Sequence, residues 1–324
     1  MEINMLEIAG LCACSGQRVS GALPIVGGGE PLPMTLLCGA RDGATVLVTA
    51  GIHCAETVGV QAAIELAAEL DPGQLTGNVV ILPLVNRNGF EHRAMSVIHE
   101  DGKNLNRIFP GRPDGTLGDR IAWTITEELH KRVDYYIDLH GGDGFEELTP
   151  YVYSPGKAAP DVARRAKEMA LQCDVPYLVV SPFGQGGSYN HAASLGVPGI
   201  LLERGGMGRW TREEVEADKK DVRNILRHLG VLGGAPEPRT CPPVADVGDV
   251  YYAAAHFTGC WYPTKRVGDR IAAGELLGVI RDYAGRELQR CTARHDGVLL
   301  YQTASLNILE HGPMVAYGEP PKCL

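Results

Sequence analysis

The sequence predicts an α/β core with helices on both faces of its sheet, followed by a small all-β domain. Two observations carry this. From residue 46 to about 230, apolar β-branched runs alternate with stretches of helical periodicity, the pattern of strands joined by helices. Residues 230–246 break that rhythm with Gly230, Gly233-Gly234, Pro236, Pro238 and Pro242-Pro243, and beyond them helical periodicity is absent. The boundaries read as 1–232 for the first domain and 246–324 for the second.

In order along the chain, residues 1–45 read as a short β introduction, with turns at Gly27-Gly28-Gly29 and Pro31-Leu32-Pro33 and a strand over 34–38. A strand over 46–51 leads into a helix over 57–70, which Asp71-Pro72-Gly73 stops. Strand 79–85 is apolar on successive residues, so both of its faces are covered. A long irregular segment, 86–118, precedes helix 119–132 and strand 135–139. Helix 160–172, strand 177–181, a helix from Ser188 and strand 199–202 follow. Thr211-Arg212-Glu213-Glu214 is a capping box that opens helix 212–229. After the linker, short strands alternate with glycine turns.

Composition narrows the function. A formal charge of −9 and no basic run argue against nucleic acid and anionic membranes as partners. No apolar run reaches the length of a membrane span. The acidic start, Met1-Glu2-Ile3-Asn4, does not resemble a secretory signal, so a cytoplasmic protein is expected. Nine scattered cysteines without a Cys-x-x-Cys pair read as reduced thiols.

The chemistry gathers at strand exits, where open α/β sheets build their sites. Strand 46–51 delivers His53 and Glu56, strand 135–139 delivers His140, and strand 199–202 delivers Glu203. A lone strand-end histidine is most often a satisfied structural residue, and Glu203 could simply pair with Arg204. Three such exits in one sheet favour one convergent polar site. His53, Glu56 and His140 then form a two-His, one-Glu shell for Zn²⁺ with one position open, the pattern of a catalytic zinc. Glu203 is the spare carboxylate, a general base and later acid. In the long loop, Asn106-Arg107 can hold a carboxylate through the guanidinium fork and an amide, or can be a solvated polar pair.

His53-x-x-Glu56, then Asp101-Gly-Lys-Asn-Leu-Asn106-Arg107-x-Phe-Pro-Gly111, then Asp138-Leu-His140-Gly and Glu203, in this order, resemble the zinc carboxypeptidase superfamily. The likeness is greatest to its succinylglutamate desuccinylase/aspartoacylase branch and covers residues 45–230. It implies a mixed, mostly parallel sheet between helices, one Zn²⁺ on His53, Glu56 and His140, and catalysis by Glu203. It implies that Asn106 and Arg107 bind the substrate's free carboxylate. It also implies an arginine that polarises the scissile carbonyl, best matched by Arg93, with Arg87 as the fallback. Two departures stand out. Asn104 replaces an aspartate common before Leu-Asn-Arg, and Arg204 after Glu203 is expected to bring a positive charge near the pocket.

The C-terminal segment resembles biotinyl/lipoyl-type half-repeats, but the turn at Asp282-Tyr-Ala-Gly-Arg-Glu287 lacks a lysine for a carried cofactor. A structural or pocket-narrowing barrel is the better reading, which favours small substrates. The expected activity is zinc-dependent amide hydrolysis in a small carboxylate-bearing substrate, foremost an N-acyl amino acid. A metallocarboxypeptidase acting on short peptides shares the same residues, and a non-catalytic metal-binding module is the third reading. A homo-oligomer is left open.

Overall fold

The computed structural model describes residues 5–242 and 244–319. Its centre is a nine-stranded mixed sheet. From one edge, its strands are Ala245–Asp246, Tyr177–Ser181, Tyr151–Pro155, Gly199–Glu203, Tyr135–His140, Arg41–Ala50, Thr76–Leu82, Leu32–Cys38 and Arg18–Leu23. Arg41–Ala50 runs parallel to both neighbours, and Gly199–Glu203 runs parallel to Tyr135–His140. This brings the exits of the His53, His140 and Glu203 strands to one end of the sheet, with Glu203 directly opposite His140.

Strand periodicity divides the core. Val46, Val48 and Ala50 pack on one face with Val58, Ala62 and Leu66 of helix Thr57–Glu69 and Val222, Ile225 and Leu226 of helix Arg212–His228. Leu47 faces the other way, into a cluster with Ile121, Leu129 and Ala192. Burying each of the valine, leucine and isoleucine side chains contributes about 1.5–3 kcal/mol. The Thr211 capping box is formed as expected, with the Glu214 N–H donating to Thr211 Oγ1 and the Thr211 N–H to Glu214 Oε2.

Several elements differ from the sequence reading. The introduction holds an extra hairpin, Met5–Ile8 with Leu11–Cys14. The loop after Thr76–Leu82 contains a helix, Arg87–Glu91, and a tight turn, Leu105–Arg107. Helix Leu117–Ile125 ends in a wider turn, Thr126–His130, rather than continuing to 132. Strand Tyr151–Pro155 enters antiparallel to Gly199–Glu203.

The C-terminal residues form two antiparallel sheets around Trp261, Leu277, Ile280, Leu299 and Tyr317. The turn after Leu276–Arg281 presents Tyr283, which is 85% exposed. The two parts of the chain interlock. Glu146–Leu148 pairs with Tyr301–Thr303 in a C-terminal sheet, while Ala245–Asp246 forms the edge of the main one.

The proline-rich connection is fastened to the core. Asp174, 6% exposed, accepts from the Thr240 and Cys241 N–H groups, the Thr240 hydroxyl and Lys220 Nζ. Arg239 donates to the carbonyls of Cys173 and Val175. Burial opposes the charge on Asp174, but these donors outweigh it and hold its carboxyl well below the usual range. The depressed value means that the stabilisation is complete above the ordinary carboxylate range and is lost as pH falls through the folded value. Asp174→Ala is therefore expected to cost about 3 kcal/mol at pH 7, read from urea unfolding, with the gap from native closing toward pH 2.

Candidate active site

His53 lies in the turn that follows Arg41–Ala50, and Glu56 caps helix Thr57–Glu69 with its main chain while its carboxylate turns away from the helix. His53 Nδ1 lies 2.7 Å from Glu56 Oε1, and His140 Nδ1 lies 2.7 Å from Glu56 Oε2. The Gly141 N–H donates to Glu56 Oε2 at 3.1 Å. The two rings meet edge to face, centroids 4.9 Å apart. One ligand atom from each of the three residues lies within 4.8 Å of the others. Burial pushes the Glu56 carboxyl up, but the two imidazoles outweigh it and hold it down to about 2. His140 is opposed by burial yet driven well above its ordinary value by Asp138 and Glu56.

Each ring is backed on its far nitrogen. His53 Nε2 lies 3.0 Å from Asn104 Oδ1, which also accepts the Asn106 N–H at 2.9 Å. An amide oxygen can only accept, so Nε2 carries a proton, and Nδ1 is the nitrogen that faces the Glu56 carboxylate. His140 Nε2 faces Asp138 Oδ2 at 3.2 Å. Asp138 and His140 are two apart on one strand, so both project from the same face.

A buried relay supports Asp138. Thr49 Oγ1 donates to Asp138 Oδ1 at 2.7 Å, which uses its only proton. Tyr136 must then donate to Thr49 (2.6 Å), and Ser188 to Tyr136 (2.7 Å). His130 Nε2 completes the series at 3.4 Å from Ser188 Oγ, and its Nδ1 has no partner among the described residues. Burial and the nearby His191 push His130 down to about 3, so its ring is neutral here. The Ser188 N–H donates to Asn106 Oδ1 at 2.8 Å, so the relay reaches from His140 to Asn106.

Glu203 sits at its strand's end with Oε2 buried and, among the described residues, unpartnered. Burial and the Glu56 charge push it well above the usual carboxylate range. Arg204 does not bring charge into the pocket. Successive strand residues point to opposite faces, and its guanidinium is buried against Asp218 (2.8 Å) and Asp221 (2.5 Å) of helix Arg212–His228. Gly141 allows the two exits to meet: a Cβ there would stand 2.2 Å from the Arg204 carbonyl oxygen.

These residues open into a cavity with two lobes that share His53, Glu203 and Arg107. The first, of about 480 Å³, also has Glu56, Asn104, Asp143, Glu146 and Tyr301 in its wall. The second, of about 470 Å³, has Asn106, His140, Tyr153, Phe183, Tyr189 and Tyr252. Asn106 is buried and Arg107 exposed, with Arg107 Nη1 donating to the Asn106 carbonyl. A larger hollow, about 770 Å³, lies at the opposite ends of the strands near Tyr135 and Pro198 and contains none of these groups.

Arg93 is not brought in. It sits exposed in a left-handed turn (φ 55°) after helix Arg87–Glu91 and lines neither lobe. Arg87 is engaged outside by Glu30 and Glu91. The sequence reading missed Asp143, Glu146, Tyr252 and Tyr301. Asp138 could have been found from its i−2 spacing to His140, whereas the two C-terminal tyrosines arrive from over a hundred residues away.

Residues 42–229 match the model of the succinylglutamate desuccinylase/aspartoacylase catalytic domain. The chain belongs to this family. It is therefore an enzyme, a deacylating hydrolase by kinship. It is 29% identical over 279 residues to the N-alpha-acetyl-L-2,4-diaminobutyric acid deacetylase of Halomonas elongata, covering 84% of this chain and 81% of that one. Its fold matches a succinylglutamate desuccinylase/aspartoacylase structure from Rhodobacter sphaeroides with a TM-score of 0.83. That alignment is 26% identical and covers 94% and 96% of the two chains. The apo ectoine utilization protein EutE (DoeB) from Ruegeria pomeroyi matches with a TM-score of 0.79 at 26% identity, covering 93% and 95%.

The relay yields a direct test. Tyr136→Phe removes the only hydroxyl that joins Thr49 to Ser188, leaving buried groups unpaired. A loss of about 1–3 kcal/mol in urea unfolding is expected; an unchanged midpoint would show that the series carries no load.

Proposed function

We propose that this enzyme is a zinc-dependent deacylase that cleaves the amide bond of an N-acyl amino acid or a closely related small carboxylate. The observation that carries the reading is the convergence of two imidazole Nδ1 atoms on the Glu56 carboxylate, with Glu203 in the wall of the same cavity. The donor set fits Zn²⁺: two imidazole Nδ1 atoms, which would give up any proton on binding, and one carboxylate, with Asn104 and Asp138 standing on the far side of the rings. The activity named for the Halomonas elongata relative supports a small N-acyl amino acid as substrate. Among the described residues no helix is long and apolar enough to cross a membrane.

When bound, Zn²⁺ supplies Lewis-acid polarisation of the carbonyl and a lowered pKa for water. The chain's own groups do the rest. Glu203, kept basic by burial and neighbouring carboxylates, takes a proton from the attacking water and returns it to the leaving nitrogen. Arg107 and Asn106 hold the substrate's carboxylate and fix its register. Because Ser188 occupies Asn106 Oδ1, the Asn106 amide offers its N–H donors to the cavity. Asn104 holds the proton of His53 on Nε2, and the Asp138 carboxylate stands behind His140 Nε2. Arg93 takes no step from its exposed position. Tyr252 and Tyr301, from the C-terminal sheets, narrow both lobes, which favours compact substrates over the long peptides of a carboxypeptidase.

Glu203→Gln is expected to lower kcat about 10³-fold on an N-acetyl amino acid while metal analysis still finds close to one zinc per chain. Full turnover by this variant would remove Glu203 from the reaction. Dipicolinate should abolish activity and added zinc should restore it. Asn104→Ala should weaken zinc about tenfold in chelator competition. Arg93→Ala should leave kcat/KM as in the native enzyme, and a severe loss would mean that its side chain swings in.

A further inference from the structure

We propose that the lobe walled by Asp143, Glu146 and Tyr301 receives the acyl half of the substrate and admits only neutral or positively charged acyl groups, so that dicarboxylic chains such as succinyl are rejected. This rests on the deacylase reading above and specifies its substrate class.

The assignment of halves follows from the cavity. Both lobes touch His53 and Glu203, so the scissile bond lies between them. Asn106 opens only into the second lobe, so a carboxylate held by Asn106 and Arg107 puts the amino-acid half on that side. The acyl group then extends into the first lobe.

The charge there is one-sided. Asp143 is 6% exposed, and its Oδ1 accepts the Phe145 N–H at 2.9 Å. Glu146 Oε2 accepts the Asp143 N–H at 3.1 Å, and Glu146 Oε1 accepts the Tyr301 hydroxyl at 2.9 Å. Each carboxyl is thus tied by neutral donors. Among the described residues Arg107 is the only lysine or arginine in the lining of this lobe, and the reading commits it to the substrate's own carboxylate. The rest of the wall that the acyl group would meet includes Tyr301, Thr303, Ser305 and Asn307, which are uncharged. The absence of a counter-cation shows in Glu146, which burial and the Asp143 and Glu56 charges push up to about 7. A distal carboxylate placed here would lose water without gaining a counter-cation, and its charge would oppose any charge left on Asp143 and Glu146. A methyl group loses nothing comparable, and an ammonium would be attracted. The family name includes a desuccinylase, and this lobe sets the chain apart from that activity.

The test uses the full zinc-loaded chain and, for each of several amino acids, its N-acetyl, N-glycyl and N-succinyl derivatives. The expected result is kcat/KM for N-succinyl at least tenfold below the better of the other two on every amino acid turned over. Acetate should also outcompete succinate as a product inhibitor. Glu146→Gln should raise the succinyl-to-acetyl ratio severalfold. N-succinyl substrates cleaved as well as or better than N-acetyl ones would overturn the inference and leave the deacylase reading standing. A ratio unmoved by Glu146→Gln would overturn the part assigned to this carboxylate. If none of the three series is cleaved while zinc is bound, the deacylase reading falls and takes this inference with it.

Discussion

Glu56 is a carboxylate taken out of water at the foot of a helix, and it stays charged because two imidazole edges face it. The site is built around that requirement. Stripping a partner from a buried charge costs about 3–5 kcal/mol, more than one aliphatic side chain returns on burial. The helix carrying Glu56 and the strand carrying His140 therefore have to meet in one register. Parallel pairing of Arg41–Ala50 with Tyr135–His140 provides it, and Gly141 leaves room for the chain beyond.

Behind this centre, the protein holds its two histidines by two unlike means. His140 is backed by a carboxylate at the end of a buried hydroxyl series, all of whose protons point toward Asp138. His53 is backed by the amide oxygen of Asn104, a neutral group in a loop. The first support is rigid and inaccessible, and the second sits beside the residues proposed to bind substrate. The same Ser188 that ends the hydroxyl series also fixes Asn106, so the His140 and Asn106 sides of the site share one frame.

Much of this could be read from the sequence for local reasons. An apolar run that ends in His or Glu beside glycine makes a strand exit, and Thr211-x-x-Glu214 announces a helix start through its own hydrogen bonds. Strand Tyr151–Pro155 escaped notice because it is short and ends in proline, and its antiparallel entry depends on a neighbour reached only after folding. Arg204 was misplaced by reading adjacency in sequence as adjacency in space, although the two-residue period of a strand sends it to the face opposite Glu203. Arg93 was carried over from motif order alone, and the chain turns it outward. Asp143 and Glu146 gain meaning only once Tyr301 arrives from the C-terminal sheet.

The seam between Glu146–Leu148 and Tyr301–Thr303 has an evolutionary consequence. His53, Glu56 and His140 sit at the ends of main-sheet strands and the helix that follows one of them, whereas one side of the cavity belongs to a strand that pairs across to another sheet. Changes along Tyr301–Thr303 can reshape the cavity wall while His53, Glu56 and His140 stay untouched. A lineage built this way can drift between substrates through a strand that carries none of those three residues.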